Sequence, residues 1–463
     1  MIAARPRSAD RLLELVGGDL EVPLVGGRWV RYANLDNAAS APALRQVADA
    51  VAAALPYYGS VHRGAGFASL VSTEAYTRAR AIAGAFVGAR ADDLVVFTRN
   101  TTDALNLLAG ALPPDTTVLT FAAEHHANLL PWRRGDVRQL PIPRSPADVL
   151  ATLAAALREL DGRRALVAVT GASNVTGEVW PIERIAALAH RHGARVALDA
   201  AQLAAHRPID IAGWDVDYVA FSGHKLYAPY GAGVLAGRAD WLDAGRPYLA
   251  GGGAVRRVGI DDVDWATGPA RHEGGTPAAL GAFAIAAAIG ALTATGWPRI
   301  EAHEQHLLER LLTGLDAIAG VRTYELWERG HDRVGVVSFA VAGVEPALLA
   351  AALAAEHGIG VRDGAFCAHP LMDAFAARRG GARDAVRASI GVGTSEQDVD
   401  RLLDAVERIA ADGPRWRYVE RAGALAPDPD PRPRPSLAGL LAGGSVRGGG
   451  SPCREPGASA DRR

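Results

Sequence analysis

The stretch Phe221-Ser222-Gly223-His224-Lys225-Leu226-Tyr227 follows directly on the apolar run Tyr218–Phe221. At the end of a parallel strand, small residues let the backbone approach a ligand closely. Ser222 and His224 can donate to a phosphate, and the Lys225 amine can form an imine with an aldehyde. Standing alone, the same residues also read as a surface lysine after a strand.

Outward from this stretch, short apolar runs alternate with Ala/Leu-rich helical segments between about 90 and 240. The runs are Thr117–Phe121, Ala165–Thr170, Val196–Asp199 and Tyr218–Phe221, with helices near 148–160 and 182–192 between them. Continuous β-branched runs of this length belong to strands buried on both faces. The alternation predicts an α/β domain with a mostly parallel sheet. Two more strand ends then carry chemistry. The run that ends in Asp199 has Gln202 three residues on; an acid there can pair with a protonated pyridine nitrogen and keep the ring an electron sink. Arg99-Asn100-Thr101-Thr102-Asp103 lies between a strand (Leu94–Thr98) and a helix (Ala104–Leu112), and Thr101 and Thr102 offer hydroxyl and N–H donors at a helix N-terminus. Each of these also reads as simple helix capping. Their order along the chain, phosphate loop, then acid, then lysine, points to pyridoxal 5'-phosphate (PLP).

The rest of the chain sets limits. Its 463 residues exceed one ordinary core, and 49% of them are hydrophobic, enough for a large one. The net charge of −2 gives no global reason to expect nucleic acid or an anionic membrane as partner. Two cysteines, Cys367 and Cys453, exclude a disulfide framework and fit a reducing compartment. The N-terminus has no apolar run suited to a signal peptide. The apolar stretch AIAAAIGALTA at 284–294 falls short of the ~20 residues that span a bilayer. A cytoplasmic protein is expected. No Cys/Asp/Glu set completes a metal site around the His125-His126 pair.

The layout expected is an N-terminal arm over 1–30, containing a short helix and a turn at Gly26-Gly27. A large domain over 31–290 follows, with an interdomain helical region reaching about 319. A smaller C-terminal α+β domain covers 320–412, with strand candidates at Val334–Val341, Ile359–Arg362 and Arg387–Ile390 and helices near 345–356 and 396–411. From 413 to 463 the chain turns rich in Pro, Gly and charge and is expected to be a disordered tail, Cys453 included.

Nine stretches carry a resemblance to a known family. They are Leu35-Asp36-Asn37-Ala38-Ala39-Ser40, Ser60-Val61-His62-Arg63-Gly64, Glu124-His125-His126-Ala127-Asn128, Ser173-Asn174-Val175-Thr176-Gly177, Leu198-Asp199-Ala200-Ala201-Gln202, Ser222–Tyr227, Gly274-Gly275-Thr276-Pro277, Val361–Met372 and Arg387-Ala388-Ser389. In this order, from about 30 to 412, the chain resembles the class V, fold-type I PLP enzymes, most of all the SufS-like (group II) cysteine desulfurases. The resemblance implies a large domain with a mostly parallel seven-stranded sheet and a smaller C-terminal domain. It makes Lys225 the Schiff-base lysine and gives Asp199 the pyridine nitrogen and Gln202 the ring oxygen. His125 would stack on the ring and move protons. Thr101, Thr102, Ser222 and His224 would hold the phosphate, and Thr276 would reach the phosphate of a second subunit in a homodimer. Asn174, Arg362 and Arg387 would face a small amino-acid substrate, with Arg387 on its carboxylate. Read from the residues alone, Arg387 is a surface or interface ion pair.

Cys367 decides the reaction. A lone cysteine is usually a small buried hydrophobe, but its place in the resemblance is that of the sulfur-accepting cysteine, whose thiolate takes sulfur from L-cysteine and passes it to an acceptor protein. Arg362 and His369 are near enough in sequence to favour that thiolate. The alternatives are an aminotransferase, a C–S or selenocysteine lyase or an epimerase on the same PLP platform, and a non-catalytic scaffold. Two stretches depart from the family pattern: Ala365-Phe366 stands where polar residues are usual, and Gly391-Val392-Gly393-Thr394 lacks the usual Asn/Tyr character. Both are expected near the seat of substrate selectivity.

Overall fold

In the computed structural model, residues 11–328, 330–379 and 383–433 are described. A hairpin of β1 (Glu21–Pro23) and β2 (Trp29–Arg31) and the short β3 (Ala33–Asn34) lead into α1 (Arg45–Ala54) and α2 (Phe67–Phe86). Then come β4 (Asp93–Thr98), α3 (Thr101–Ala111), β5 (Thr117–Phe121), β6 (Asp136–Leu140), α4 (Pro146–Leu160), β7 (Ala165–Thr170), α5 (Ile182–Arg191), β8 (Arg195–Asp199), β9 (Tyr218–Ser222), β10 (Gly233–Arg238) and α6 (Ala239–Ala244). The seven strands form one sheet in the order β4-β10-β9-β8-β7-β5-β6. It is parallel except for β10, which runs antiparallel to both β9 and β4. This is the mostly parallel seven-stranded α/β sheet expected of a fold-type I enzyme.

The sheet is buried on both faces because helices cover both. Along β7, Val167 and Val169 join one core with Leu198 and Phe221, while Leu166 and Ala168 join another with Leu105 and Ala197. Strands read as continuous apolar runs for that reason. The expected strands appear within one or two residues of their predicted ends. β6 and β10 were not anticipated: β6, at a sheet edge, has only two apolar residues in five, and β10 holds two glycines. The parallel strands end side by side, so Thr170, Asp199 and Ser222 arrive at one rim of the sheet.

After the hairpin of β11 (Val255–Val258) and β12 (Val263–Trp265), α7 (Ala279–Thr295) and α8 (Trp297–Ala317) replace a single interdomain helix. They meet at 82°, because Gly296 takes a φ of +87° that ends α7. Among the described residues no single helix is long and apolar enough to cross a membrane. Beyond α8 lie β13 (Val321–Thr323), β14 (Val336–Val341), α9 (Pro346–His357), β15 (Ile359–Gly360), β16 (Arg362–Gly364), α10 (His369–Arg379), β17 (Ala385–Ser389) and α11 (Glu396–Asp412). Four of the strands make an antiparallel sheet in the order β13-β14-β17-β16. Leu311, Leu353, Val399 and Leu402 from α8, α9 and α11 pack its apolar face.

Two expectations fail here. Residues 11–19 form turns rather than a short helix, with Leu15 paired to Leu44; three of those nine residues are glycine or the aspartate that follows them, which favours turns over helix. The tail expected to be disordered from 413 instead begins with an ordered hairpin, β18 (Tyr418–Arg421) and β19 (Ala424–Pro427). Composition hid its anchors: Tyr418 Oη donates to Glu356 at 2.9 Å, the N–H groups of Arg415 and Trp416 reach the same carboxylate, and Arg421 pairs with Asp428. Residues 434–463, with Cys453, lie outside the described residues.

Candidate active site

A cavity of about 210 Å³ opens at the rim of the large sheet where β4, β7, β8 and β9 end. Lys225 lines it, at the tight turn after β9. Gly223 is required in that turn: a Cβ there would stand 2.9 Å from both Ala228 O and Ala232 O. Burial pushes the Lys225 amine down to about 8, opposed by Asp199 and helped by Arg387 and Arg362. About a tenth of it is therefore the neutral, nucleophilic amine at pH 7, far more than for an ordinary lysine.

Asp199 ends β8, 4% exposed, and burial raises its pKa. Its Oδ1 accepts the Ala201 N–H at 2.9 Å. Gln202 lines the same cavity, its amide donating to Ala38 O at 2.9 Å. At the opposite side, Asn100 caps α3 by accepting the Asp103 N–H. The helix begins at Thr101, three residues before the sequence suggested. Thr101 is buried and bonded to Ser222 through both its N–H and its hydroxyl, each at 2.7 Å; Thr102 and His224 also line the cavity. Gly233 on β10 lets this turn come close, since a Cβ there would lie 2.6 Å from Asn100 Cα.

His125 precedes a turn of 3₁₀ helix, His126–Asn128, and its Nδ1 accepts the Ala127 N–H at 3.0 Å. Burial, with Lys225 next, pushes its pKa down to about 3, so the ring is neutral and carries its proton on Nε2. The neighbouring Glu124, given no role by sequence, is fully buried. It accepts from Thr170 N at 2.9 Å and Asn128 Nδ2 at 2.8 Å. Burial raises it to about 8. Its signal was available: it opens the Glu-His-His stretch, but nothing in one dimension says that an acid there is buried.

The second sheet closes the cavity from the other side. β16 and β17 put Arg362 opposite Arg387. Arg387 is 2% exposed, its pKa lowered to about 10 by burial. Nη1 donates to Asn174 O at 2.8 Å, Nη2 faces Asp36 Oδ1 at 3.4 Å, and Nε has no partner. The ion pair read from sequence exists, but in the interior. Between the strands, Phe366 and Cys367 both have positive φ, +53° and +56°. The Asn174 amide donates to Phe366 O at 2.8 Å and the His126 N–H to Cys367 O at 2.8 Å. Cys367 lines the cavity in this strained turn.

Two expected neighbours lie elsewhere, and Thr276, expected at a second subunit's phosphate, is outside its own cavity. His369 is exposed and turns to His126, its ring 4.5 Å away edge-on, because α10 begins there and carries the side chain off the cavity. Gly391–Thr394 does not line the cavity: Val392 N–H donates to Tyr227 Oη at 3.0 Å, which ties the loop behind Lys225. Thr276 is exposed, on the loop before α7, where Arg63 holds the preceding Gly275 carbonyl at 3.0 Å.

Hydroxyls at a helix N-terminus, an amine, an acid and a neutral imidazole thus surround one space, and this donor set fits PLP. Comparison with known proteins agrees. The aminotransferase class-V family model matches residues 33–402. The chain is 35% identical to a probable cysteine desulfurase of Vibrio cholerae, over 83% of this chain and 95% of that protein. It is 37% identical to the cysteine desulfurase of Dickeya dadantii, over 83% and 93%. Among solved structures, cysteine desulfurase CsdA from Escherichia coli superposes with a TM-score of 0.71 at 32% identity, covering 81% of this chain and 94% of that one. The cysteine desulfurase of Thermococcus onnurineus gives 0.74 at 33%, covering 82% and 95%. Matched along nearly the whole length of such relatives, the chain belongs to the class-V aminotransferase family of PLP-dependent enzymes, among its cysteine desulfurases.

Proposed function

We propose that the protein binds PLP in this cavity and converts L-cysteine to L-alanine, with the sulfur transferred to Cys367. The observation that carries the reading is the meeting of Cys367, in its strained turn, with Lys225 and Arg387 around one cavity. When bound, PLP supplies an aldehyde for the substrate amine and a ring that takes up electron density from Cα. Thr101, Thr102, Ser222 and His224 would hold its phosphate, and Asp199, Gln202 and His125 would hold its ring. Arg387 binds the substrate carboxylate: its unpartnered Nε and weakly engaged Nη2 are the donors left for it. Asn174 keeps the guanidinium oriented, and Arg362 adds positive charge at the mouth.

Lys225 Nζ takes the Cα proton. Cys367 Sγ, as thiolate, attacks the substrate Sγ; an S–S bond forms and the Cβ–Sγ bond breaks with its electron pair left toward Cβ. A proton at Cβ, for which the His125 Nε2–H is the placed donor, and the return of the Lys225 proton to Cα complete alanine; the proton that Cys367 gives up on becoming a thiolate restores the His125 ring. The balance is L-cysteine plus thiol to L-alanine plus persulfide, with no outside oxidant. A sulfur-acceptor protein or small thiol then takes the terminal sulfur. We also read the chain as a homodimer, in which Thr276, exposed outside its own cavity, reaches the second subunit's site, and as a cytoplasmic enzyme.

The test is product analysis of purified holoenzyme with L-cysteine and an excess of a reducing thiol to free the persulfide sulfur as sulfide, beside Cys367→Ala. We expect alanine and sulfide from the native protein and at least a hundredfold loss in the variant, about 2.7 kcal/mol in barrier. Unchanged alanine formation in the variant, or pyruvate in place of alanine, overturns the reading, the latter in favour of a lyase.

A further inference from the structure

We infer that Phe366 is a positioning residue that sets how tightly the substrate carboxylate is held, by fixing Arg387 from its face. The inference rests on the reading of Arg387 as the carboxylate site. Phe366 is 4% exposed, and its ring centre lies 5.1 Å from the guanidinium carbon of Arg387. Asn174 joins the two: its carbonyl accepts from Arg387 Nη1 and its amide donates to the Phe366 carbonyl, both at 2.8 Å. The three residues close a circle through one face contact and two hydrogen bonds.

A guanidinium held at one edge and one face cannot swing without losing both contacts. The N–H groups with bonding capacity left are the buried Nε and the weakly engaged Nη2, and in a planar guanidinium these two form a fork that can take a carboxylate with two bonds. Nε has no partner and Nη2 has only Asp36 at 3.4 Å. The ring also keeps water off one face, which strengthens charge attraction at the other edge. The cost of this placement is visible in the backbone, since a bulky side chain at a φ of +53° is a rare conformation. The carbonyl bond from Asn174 holds the peptide there.

Phe366→Leu keeps an apolar side chain on the same backbone and removes the aromatic face; Phe366→Tyr keeps the face. On holoenzymes, calorimetry measures binding of L-alanine, which has the carboxylate without the sulfur, and of L-alaninamide, which lacks the carboxylate. We expect Phe366→Leu to weaken L-alanine about 3- to 30-fold, the range of a desolvated cation–π contact. L-Alaninamide binding should hold within about twofold, and Phe366→Tyr should restore L-alanine binding. KM for L-cysteine should rise by the same factor as the L-alanine Kd, while kcat holds. Equal loss for alanine and alaninamide overturns the inference, as does no loss for either. Should Phe366→Leu fail to fold, Phe366→Met answers the same comparison. If native enzyme makes no alanine from L-cysteine, the functional reading fails, and the alanine-to-alaninamide contrast still decides the role of Phe366.

Discussion

Glu124 is an acid held neutral by its surroundings. With its pKa raised by burial from 4.5 to about 8, the folded state binds a proton that the unfolded chain has released. Its contribution to stability is thus full below the ordinary pKa and is lost as pH rises toward about 8. In Glu124→Gln the side chain is neutral at every pH. We expect the stability of the native protein, minus that of the variant, to fall between about pH 5 and pH 8, by up to about 1.4 kcal/mol per unit; denaturant titrations across that range check it. A difference flat with pH would show that Glu124 ionises normally. At this scale the sequence was readable for Lys225, Asp199 and Gln202, whose residue types at strand ends admit few chemistries, whereas His125 entered only through the family resemblance. It was not readable for Arg387 or Glu124, because a charged residue in a strand or loop looks the same whether its partners are in solvent or in the core.

At the scale of elements, Gly233 shows how β10 serves the site from the far side of the sheet. Its missing side chain lets the Asn100-Thr101 turn rest against the strand, and the proposed phosphate donors depend on that approach. A methyl group 2.6 Å from Asn100 Cα must displace backbone, not a flexible side chain. Gly233→Ala is therefore expected to weaken PLP retention at least tenfold while the protein still folds, at a cost of about 1–3 kcal/mol. Cofactor absorbance after dialysis measures the first, and a denaturation curve the second. Retention equal to the native protein would mean that the turn can move without harm. β10 was itself invisible to periodicity: Gly233-Val234-Leu235-Ala236-Gly237-Arg238 has two glycines that weaken any strand signal, and antiparallel insertion between β9 and β4 is a matter of pairing partners far apart in the chain.

For the molecule as a whole, α8 ties the second sheet's framework to the large one. Glu304 is 4% exposed and bonded to both His206 and Arg207, with Arg207 Nη1 at 2.7 Å. Arg207 also donates to Arg333 O at 3.0 Å. Glu304→Ala leaves the buried Arg207 guanidinium with only the exposed Asp332, at 3.1 Å, as counter-charge, and is expected to cost about 3 kcal/mol in chemical denaturation. Arg310→Ala, on the same helix as Glu304, breaks an exposed pair with Asp400 of α11 and should change stability little. Similar losses in the two variants would show that the Glu304 cluster is no more than a surface pair in effect.

The sequence by itself determined the sheet's parallel run, the order of the cavity-lining strand ends and the family, because these depend on local periodicity and on residue types at fixed places along the chain. Only the tertiary structure decided which residues surround Cys367. Whether His369 or Phe366 faces the cavity, whether Gly391–Thr394 touches substrate space, and whether Arg387 pairs inside or outside all depend on how β16, β17 and α10 dock on the large sheet. That docking brings together residues as far apart as Asp36 and Arg387, and no local pattern records a contact made across such a distance.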